Sequence, residues 1–281
     1  MVHKFQFEPP VNALSMSPIK SHRPFVAVGT QESDIYLCDL RLGCKGRVLS
    51  AHSASITALA WDLGDENLLV SGCSDGTMCM WDIRFPKFFV SFDQSVHLGD
   101  KIELEAYNER REQGMPAAHC GAVSSVCFVP GRRQILSSGA DQAMHLWDVD
   151  YGTNLLVHYP NIQNKGTVKI STSSDGVLVY HPCRRQICVF DIKTGKKVRT
   201  LSGHYENVKV SVFHPHLQEL YSGSADGEIL IWVPSGDQKG RLDPSAVAAD
   251  ARKYRTGSDE RRDPGADAEI QECDWYEDEG L

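Results

Sequence analysis

The sequence predicts an all-β fold, a propeller of small antiparallel sheets, and three observations support this class. Segments with alternating apolar residues, such as "ITALAW" at 56–61 and "VSSVCF" at 123–128, are typical of strands with one buried face. Tight Asp-Gly or Asp-Gln turns separate paired segments, as β-hairpins require. Three longer segments, which begin at His52, His119 and His204, also align with one another.

The three aligned segments repeat the same polar residues at nearly constant spacing. A turn aspartate follows each histidine by 22 or 23 positions, tryptophan follows that aspartate by six, and serine precedes it by four. The sets are His52, Ser71, Asp75 and Trp81; His119, Ser137, Asp141 and Trp147; and His204, Ser222, Asp226 and Trp232. A buried imidazole can satisfy the aspartate, and the hydroxyl and indole N–H can extend the network. Because a catalytic triad would occur once, this recurrence predicts a structural network.

Two further units share the strand rhythm but lack these polar residues. They contain Cys38-Asp39 and Phe190-Asp191 where the others have Trp-Asp or Trp-Val. The five units lie at about 12–48, 52–94, 119–158, 164–200 and 204–240. Their period of about 40 residues is typical of WD-repeat blades, so we expect a WD-repeat β-propeller with five recognisable blades over 1–240.

Closure of the ring has two interpretations. An open sheet edge favours aggregation, so propellers usually pair their terminal strands. Residues 1–8, "MVHKFQFE", have the pattern of an outer strand. Either this strand closes a five-bladed ring against the last unit, or upstream blades are missing from this chain. We favour the second interpretation.

Composition and charge exclude several functions. No apolar run approaches the roughly 20 residues that span a bilayer, and the N-terminus lacks the apolar core of a secretion signal. None of the nine cysteines lies in a C-x-x-C pair, so we expect buried free thiols, with no metal and no cofactor. Residues 1–240 hold 23 Lys/Arg and 25 Asp/Glu, whereas 241–281 hold 6 and 12. The nearly neutral part offers no broad cationic field for DNA, so we expect no direct sequence-specific nucleic-acid binding.

One motif suggests an enzyme instead. Gly72-Cys73-Ser74-Asp75-Gly76 fits G-x-S-x-G, the nucleophile elbow of serine hydrolases. Alanine replaces Ser74 in the other two units, where the aspartate and tryptophan recur. No helical pattern follows the motif, since "TMCMW" alternates like a strand. The motif therefore predicts a hairpin turn, and no catalytic residue is expected.

Several longer stretches resemble one family of WD-repeat proteins. They are "MSPIKSHRPFVAVGTQESDIYLCDL", "AAHCGAV" after a polar insert, and "LSGHYENVKVSVFHPHLQELYSGSADGEILIWVPS". Over residues 5–240 the chain resembles the Cockayne syndrome group A family. The resemblance implies a non-catalytic substrate receptor of a cullin-4-type RING E3 ubiquitin ligase, acting in the nucleus in transcription-coupled nucleotide excision repair and the DNA damage response. That family has seven blades and an N-terminal helical segment, so these five units are expected to be part of a seven-bladed ring.

The same resemblance implies partners and a binding motif. The implied partners are the damaged-DNA-binding adaptor of the ligase, the Cockayne syndrome group B protein and stalled RNA polymerase II. Family members dock on the adaptor through a motif ending W-D-x-R, which here assigns adaptor binding to Asp75, Trp81, Asp82 and Arg84. The other two aligned units lack the arginine. A guanidinium suits bidentate pairing with a carboxylate, and the alternative is a solvated surface arginine. For the whole chain, the alternative is a generic WD-repeat interaction scaffold without a ligase.

Three remaining segments have simpler interpretations. The insert "DKIELEAYNERREQG" at 100–114 is expected to be a polar, helical loop, and 241–281 a disordered acidic tail in which Trp275-Tyr276 is a possible docking element. Arg132-Arg133 and Arg184-Arg185 occupy hairpin positions, where solvated turns are the default and a small basic rim for a partner is the alternative.

Overall fold

The computed structural model describes residues 3–18, 23–85, 87–97, 117–163, 166–234 and 272–273. Within these ranges every helix or strand assigned is a β-strand, and none of them contains a helix long and apolar enough to cross a membrane. The strands form five sheets, and the all-β prediction is confirmed. The predicted helical insert and Trp275-Tyr276 lie outside the described residues, and so does the predicted disordered tail except for 272–273, which form a strand instead.

Each sheet forms one blade, numbered here in chain order. Blade 1 contains β1 (Val11–Met16), β2 (Phe25–Thr30), β3 (Asp34–Asp39) and β4 (Cys44–Ser50). Blade 2 contains β5 (Ile56–Trp61), β6 (Leu68–Cys73), β7 (Met78–Asp82) and β8 (Phe88–Ser91). Blade 3 contains β9 (Asp93–His97), β10 (Val123–Phe128), β11 (Gln134–Gly139), β12 (Met144–Asp148) and β13 (Thr153–Asn154). Blade 4 contains β14 (Ser171–Thr172), β15 (Leu178–Cys183), β16 (Gln186–Asp191) and β17 (Lys197–Ser202), and blade 5 contains β18 (Val208–His214), β19 (Glu219–Ser224), β20 (Ile229–Pro234) and β21 (Glu272–Cys273).

Strand order within a blade follows the chain, with two additions. Consecutive strands pair antiparallel in every blade. β9 adds to blade 3 by pairing parallel with β13, and β21 pairs parallel with β20 in blade 5. The sequence did not indicate either strand. Both lie at the outer side of a blade, where they cover an edge that would otherwise be exposed.

Apolar cores lie between successive blades. The inner strand β5 packs between β1 and β10, and β18 packs against β15. Trp81 belongs to the core between blades 1 and 2, Trp147 to that between blades 2 and 3, and Trp232 to that between blades 4 and 5. Each indole is fully buried. The cores thus hold neighbouring blades together through the same face of each sheet.

Small residues on the second strand allow this close approach. A Cβ added to Gly29 would lie 2.5 Å from Cγ2 of Ile56 in blade 2, and one added to Gly72 would lie 2.5 Å from Cγ1 of Val123 in blade 3. Blade 3 has Ser138 at this position, and its hydroxyl contacts Nε2 of His181 in blade 4 at 2.8 Å. Two of these contacts are therefore apolar, and one is a buried hydrogen bond.

Lys169 links blades from the inner side. Its ammonium donates to the backbone carbonyls of Thr57 at 2.9 Å and Ser124 at 3.0 Å, in blades 2 and 3. Its backbone pairs with β18 of blade 5 at Lys209 and Ser211. Burial lowers the pKa of this lysine, and the two carbonyls compensate part of the desolvation. Through its side chain and backbone together, this single residue therefore connects blades 2 and 3 with blade 5.

Two expectations for the chain surface need correction. Residues 3–10 form no strand, because Phe7 instead packs on Tyr36 of blade 1 with ring centroids 5.3 Å apart, and Lys45 lies over the Phe7 ring. The cysteines are free thiols as far as the structure describes them, but Cys44 and Cys120 are exposed rather than buried.

The two end blades expose apolar side chains on their outward faces. Leu14 and Met16 of β1 are exposed on blade 1, and Val212 and Ile231 are exposed on blade 5. These residues alternate with buried ones in the same strands, so each face has the pattern of a blade interface. Extension to a seven-bladed ring stays a prediction.

We predict that Gly72→Ala destabilises the protein by about 2 kcal/mol more than Gly223→Ala, because only the first adds a methyl group against another blade. At the equivalent Gly223 the nearest atom to an added Cβ is Cγ1 of Val210 in the same blade, at 3.0 Å. Urea unfolding of both variants measures the difference. Equal destabilisation would show that the interface at Gly72 tolerates the extra group.

Candidate functional site

The strand ends form two rims with different polar residues. The histidine rim carries His52, His119 and His204, together with the turns β2–β3, β6–β7, β11–β12, β15–β16 and β19–β20. The arginine rim lies at the other end of the strands, where β7 is followed by Arg84. Of the predicted adaptor residues, only Asp82 and Arg84 lie there.

In blade 3 the four predicted network residues form one hydrogen-bonded chain. The indole Nε1 of Trp147 donates to Ser137 Oγ at 2.8 Å, and that oxygen lies 2.7 Å from Nε2 of His119. The hydroxyl thus lies between the indole and the imidazole, and Nδ1 of His119 lies 3.1 Å from each carboxylate oxygen of Asp141. Burial raises the pKa of Asp141, but the interactions with His119 and the hydrogen bonds from the backbone N–H groups of Cys120 and Ala143 together outweigh it, so the pKa lies below its usual value.

Blade 2 adds a fifth residue to the network. His52 Nε2 lies 2.6 Å from Ser71 Oγ, which also accepts a hydrogen bond from Trp81 at 2.8 Å. His52 Nδ1 contacts the hydroxyl of Thr77 at 2.9 Å, and that hydroxyl donates to Asp75 at 2.7 Å. The expected contact between His52 and Asp75 is therefore indirect, because the threonine hydroxyl lies between them.

The threonine relay is specific to blade 2. Ala143 and Glu228 occupy the position of Thr77 in blades 3 and 5. Burial would raise the pKa of Asp75, but hydrogen bonds from Ser53 and Thr77 lower it to about 2. The sequence signal for this relay is Thr77 itself, two positions after the turn aspartate. Comparison of the repeats did not reveal it, because only one unit has a threonine there.

Blade 5 has an incomplete network. Trp232 Nε1 donates to Ser222 at 2.8 Å, and Ser222 Oγ lies 2.7 Å from His204 Nε2. His204 Nδ1 is 3.7 Å from Asp226, too far for a hydrogen bond, and it has no other hydrogen-bond partner in the described part of the chain. The expected His204–Asp226 hydrogen bond is therefore absent, and the carboxylate instead accepts hydrogen bonds from backbone N–H groups and the Ser224 hydroxyl, including the N–H of Tyr205 at 3.2 Å.

The histidines and aspartates of the networks, each with one neighbouring side chain, form three clusters that resemble metal sites. Within the described residues, their ligand atoms lie within 4.8 Å of one another in each cluster. The clusters are His52, Cys73 and Asp75; His119, Asp141 and His145; and His204, Asp226 and Glu228. Both ring nitrogens of His119 already contact protein groups, Ser137 and Asp141. Hydrogen bonding within the blade explains that arrangement without an ion.

The G-x-S-x-G segment forms the turn between β6 and β7. Ser74 is exposed, and its backbone N–H donates to the carbonyl of Ser55 at 2.9 Å. Gly76 has φ of +89°, and an added Cβ would lie 2.3 Å from the carbonyl oxygen of His119. Two antiparallel strands flank the motif, whereas a nucleophile elbow connects a strand to a helix.

On the arginine rim, Asp82 holds the guanidinium of Arg84. Nε of Arg84 contacts the two carboxylate oxygens at 2.9 and 3.1 Å, and Nη2 contacts one of them at 2.5 Å. The hydrogen bond from Arg84 lowers the pKa of Asp82. The Arg84 side chain is nevertheless 63% exposed, so it is both oriented and accessible.

The surroundings of Arg84 include residues that sequence reasoning missed. Its guanidinium lies 5.9 Å from the ring centroid of Phe85, which is 59% exposed. A groove of about 450 Å³ between blades 1 and 2 is lined by Leu42, Arg47 and Arg84, among others. Arg47 donates to the carbonyl of Ile83 at 2.7 Å across the blade boundary. Exposed arginine and aromatic side chains together are typical of protein-binding surfaces.

The other two predicted adaptor residues have different positions. Trp81 is fully buried beneath Asp82 in the core, and Asp75 lies on the histidine rim. The structure thus brings Asp82 and Arg84 together and separates them from Asp75. Trp81 can support the surface from below but cannot contact a partner directly.

Comparison with known proteins identifies the repeat. The family model described as "WD domain, G-beta repeat" matches residues 43–82, 112–148 and 195–233. The chain therefore contains WD40 repeats in these three segments. These WD40 repeats include the three complete His-Ser-Asp-Trp sets. WD40-repeat proteins are generally non-catalytic scaffolds, which agrees with the turn at Ser74.

Relatives and solved structures share this WD40 architecture. The WD repeat-containing protein ATCSA-1 of Arabidopsis thaliana is 27% identical over 88% of this chain and 67% of its own length. The guanine nucleotide-binding protein subunit beta of Zea mays is 26% identical over 72% of this chain and 59% of its own length. A chain of the crystal structure of the mitotic checkpoint complex matches with a TM-score of 0.63 at 19% identity, covering 83% of this chain and 63% of that one. The propeller fold is therefore confirmed.

We predict that Ser137→Ala destabilises the protein by about 3 kcal/mol, because it leaves the indole N–H of Trp147 and Nε2 of His119 without a buried hydrogen-bond partner. Ser202→Ala, at an exposed position of β17, provides the control and should change stability by less than about 0.5 kcal/mol. Urea unfolding followed by tryptophan fluorescence measures both. A small effect of Ser137→Ala would contradict the role of this hydroxyl in the blade.

We also predict that stability falls as pH decreases from about 6.5 towards 4. Burial lowers the pKa of His52, His145 and His181 to about 4, from an ordinary value of 6.5. Between pH 6.5 and 4 these histidines therefore bind protons in the unfolded chain but not in the folded protein, so protonation favours unfolding. Urea midpoints at pH 7 and pH 5 measure the slope. His181→Asn should make it shallower, whereas His216→Asn, at an exposed position, should leave it unchanged; equal slopes in all three proteins would contradict the prediction.

Proposed function

We propose that this protein is the substrate-receptor subunit of a cullin-4-type RING E3 ubiquitin ligase, acting in transcription-coupled nucleotide excision repair and the DNA damage response. The observation that carries the proposal is the end of blade 2, where Trp81-Asp82-Ile83-Arg84 matches the family motif W-D-x-R. Its arginine is exposed and held by Asp82. In this role the protein is non-catalytic and recruits substrates to the ligase.

The adaptor contact proposed here centres on the arginine rim. The hydrogen bonds to Asp82 use Nε and Nη2 of Arg84, and Nη1 is not among the bonded atoms. The guanidinium is therefore pre-oriented and can still donate to a carboxylate of the adaptor. Phe85 adds an exposed apolar surface beside it. Trp81 and Asp75 act indirectly, by supporting the blade.

One relative supports the proposal through its name and through the large share of this chain that aligns with it. ATCSA-1 carries a name of the Cockayne syndrome group A family, and 88% of this chain aligns with it. We extend the proposal to the implied partners: the damaged-DNA-binding adaptor, the Cockayne syndrome group B protein and stalled RNA polymerase II. A nuclear location follows from these partners and is part of the proposal.

A generic WD40 scaffold is the second candidate. Similarity to a guanine nucleotide-binding protein subunit beta and to a chain of the mitotic checkpoint complex favours it, because one fold can serve unrelated functions. Such a scaffold would bind partners without a cullin ligase. Mass spectrometry of proteins cross-linked to the tagged chain in nuclei distinguishes the two candidates by the presence or absence of cullin components.

We predict that Arg84→Ala lowers affinity for the purified adaptor at least about ten-fold, as loss of a central arginine does in protein interfaces. Arg133→Ala provides a matched control, because Arg133 forms a similar exposed ion pair with Asp150 and its side chain is 58% exposed. Biolayer interferometry with immobilised adaptor measures both. Equal binding by the two variants, or no binding by the wild type, would count against the adaptor contact at Arg84.

A further inference from the structure

A polar groove on the histidine rim is not used by the proposed adaptor contact. It lies where blades 3, 4 and 5 meet and consists of two cavities of about 210 and 460 Å³ that share Arg184 and Asn207. Its polar lining includes Gln142, Gln163, Arg184, Arg185, Asn207 and Lys209. The groove is thus at the opposite end of the strands from Arg84.

The groove is cationic in an acidic protein. Arg184, Arg185 and Lys209 line it, and no aspartate or glutamate is among its lining residues in the described part of the chain. The whole chain has a formal net charge of −8. Guanidinium, ammonium and amide N–H groups all donate hydrogen bonds. This set of donors suits carboxylate or phosphate groups.

Two groove residues have a backbone conformation that favours glycine. Gln142 and Arg184 have φ of +65° and +54°. Gly76 and Gly227 occupy the position of Gln142 in the turns of blades 2 and 5. A side chain in this conformation is less favourable than glycine, and such residues cluster at ligand sites. Because glutamine and arginine occupy these two positions, two side chains that donate hydrogen bonds lie in the same groove.

The turn that carries Arg184 is fixed to the next blade. The backbone N–H of Val208 donates to the carbonyl of Arg184 at 2.6 Å. The side chains of Arg184 and Arg185 remain exposed. The backbone is therefore anchored while the guanidinium groups are accessible, an arrangement that limits the entropy lost on binding.

We propose that this groove binds an acidic segment of a partner protein through Arg184, Arg185 and Lys209. A peptide is favoured over nucleic acid because residues 1–240 carry 23 basic and 25 acidic residues, so no broad cationic surface surrounds the groove. Glutamate, aspartate and phosphoserine share the required anionic chemistry. The inference goes beyond the proposed function and does not depend on Arg84.

The test uses fluorescence anisotropy with the full chain and a labelled octapeptide of alternating glutamate and serine. Its phosphoserine form and a glutamine form are measured in parallel. We expect binding of the first two peptides, none of the glutamine peptide, and weakening when salt is raised from about 0.05 to 0.3 M. Arg184→Gln combined with Lys209→Gln should raise Kd at least about ten-fold.

Two further variants separate loss of binding from loss of folding. Arg184→Gly removes the cation and relieves the unfavourable φ, so it should weaken binding without lowering the Tm. Lys193→Gln combined with Lys196→Gln removes two exposed charges from the opposite end of the same blade and should bind like the wild type. No binding of either anionic peptide, or equal loss in this control, would overturn the proposal. Tighter binding of an octanucleotide than of the peptides, lost in the groove variants, would overturn it in favour of nucleic acid.

Discussion

A buried serine hydroxyl between an indole and an imidazole is the interaction on which blades 2, 3 and 5 depend. Ser71, Ser137 and Ser222 each accept a hydrogen bond from tryptophan at 2.8 Å and contact the Nε2 atom of histidine. In blades 2 and 3 the Nδ1 atom of the same ring continues the network to Thr77 or Asp141. It also connects the third strand to the loop that begins the blade. A polar network is tolerated in this core because its central atoms are satisfied.

The residues that recur in these blades serve the fold, whereas the exposed residues on which the two proposed binding surfaces rest each occur once. The His-Ser-Trp arrangement is repeated and buried. Arg84, Gln142 and Arg184 are exposed on a rim. None of the three is repeated at the equivalent turn position of the other blades among blades 2, 3 and 5. The propeller therefore separates its tasks spatially: sheet interiors provide stability, and the two rims provide different surfaces. The arginine rim combines an ion pair with an aromatic ring, whereas the groove on the histidine rim contains cations and amides.

Repetition explains which features could be predicted from the sequence. Strand alternation and the spacing from Ser137 to Trp147 report local geometry, so the blades and their central hydrogen bonds could be predicted. The Thr77 relay could not be predicted, because a comparison of repeats shows only the residues that they share. The environment of Arg84 depends on Arg47 of another blade, and contacts between blades leave no local pattern. The same limit applies to Lys169, whose ammonium reaches two carbonyls far away in sequence.

Construction of blades from consecutive strands gives the protein the character of a linear array. A middle blade is stabilised by two neighbours, whereas the outward faces of blades 1 and 5 leave Leu14 and Ile231 exposed to water. In such arrays, stability is approximately a sum of each unit and its nearest-neighbour contacts. A blade with one uncovered face therefore opens more easily than a blade that packs between two neighbours. Anything that covers an end face, whether further blades or another protein, protects the whole array from unravelling.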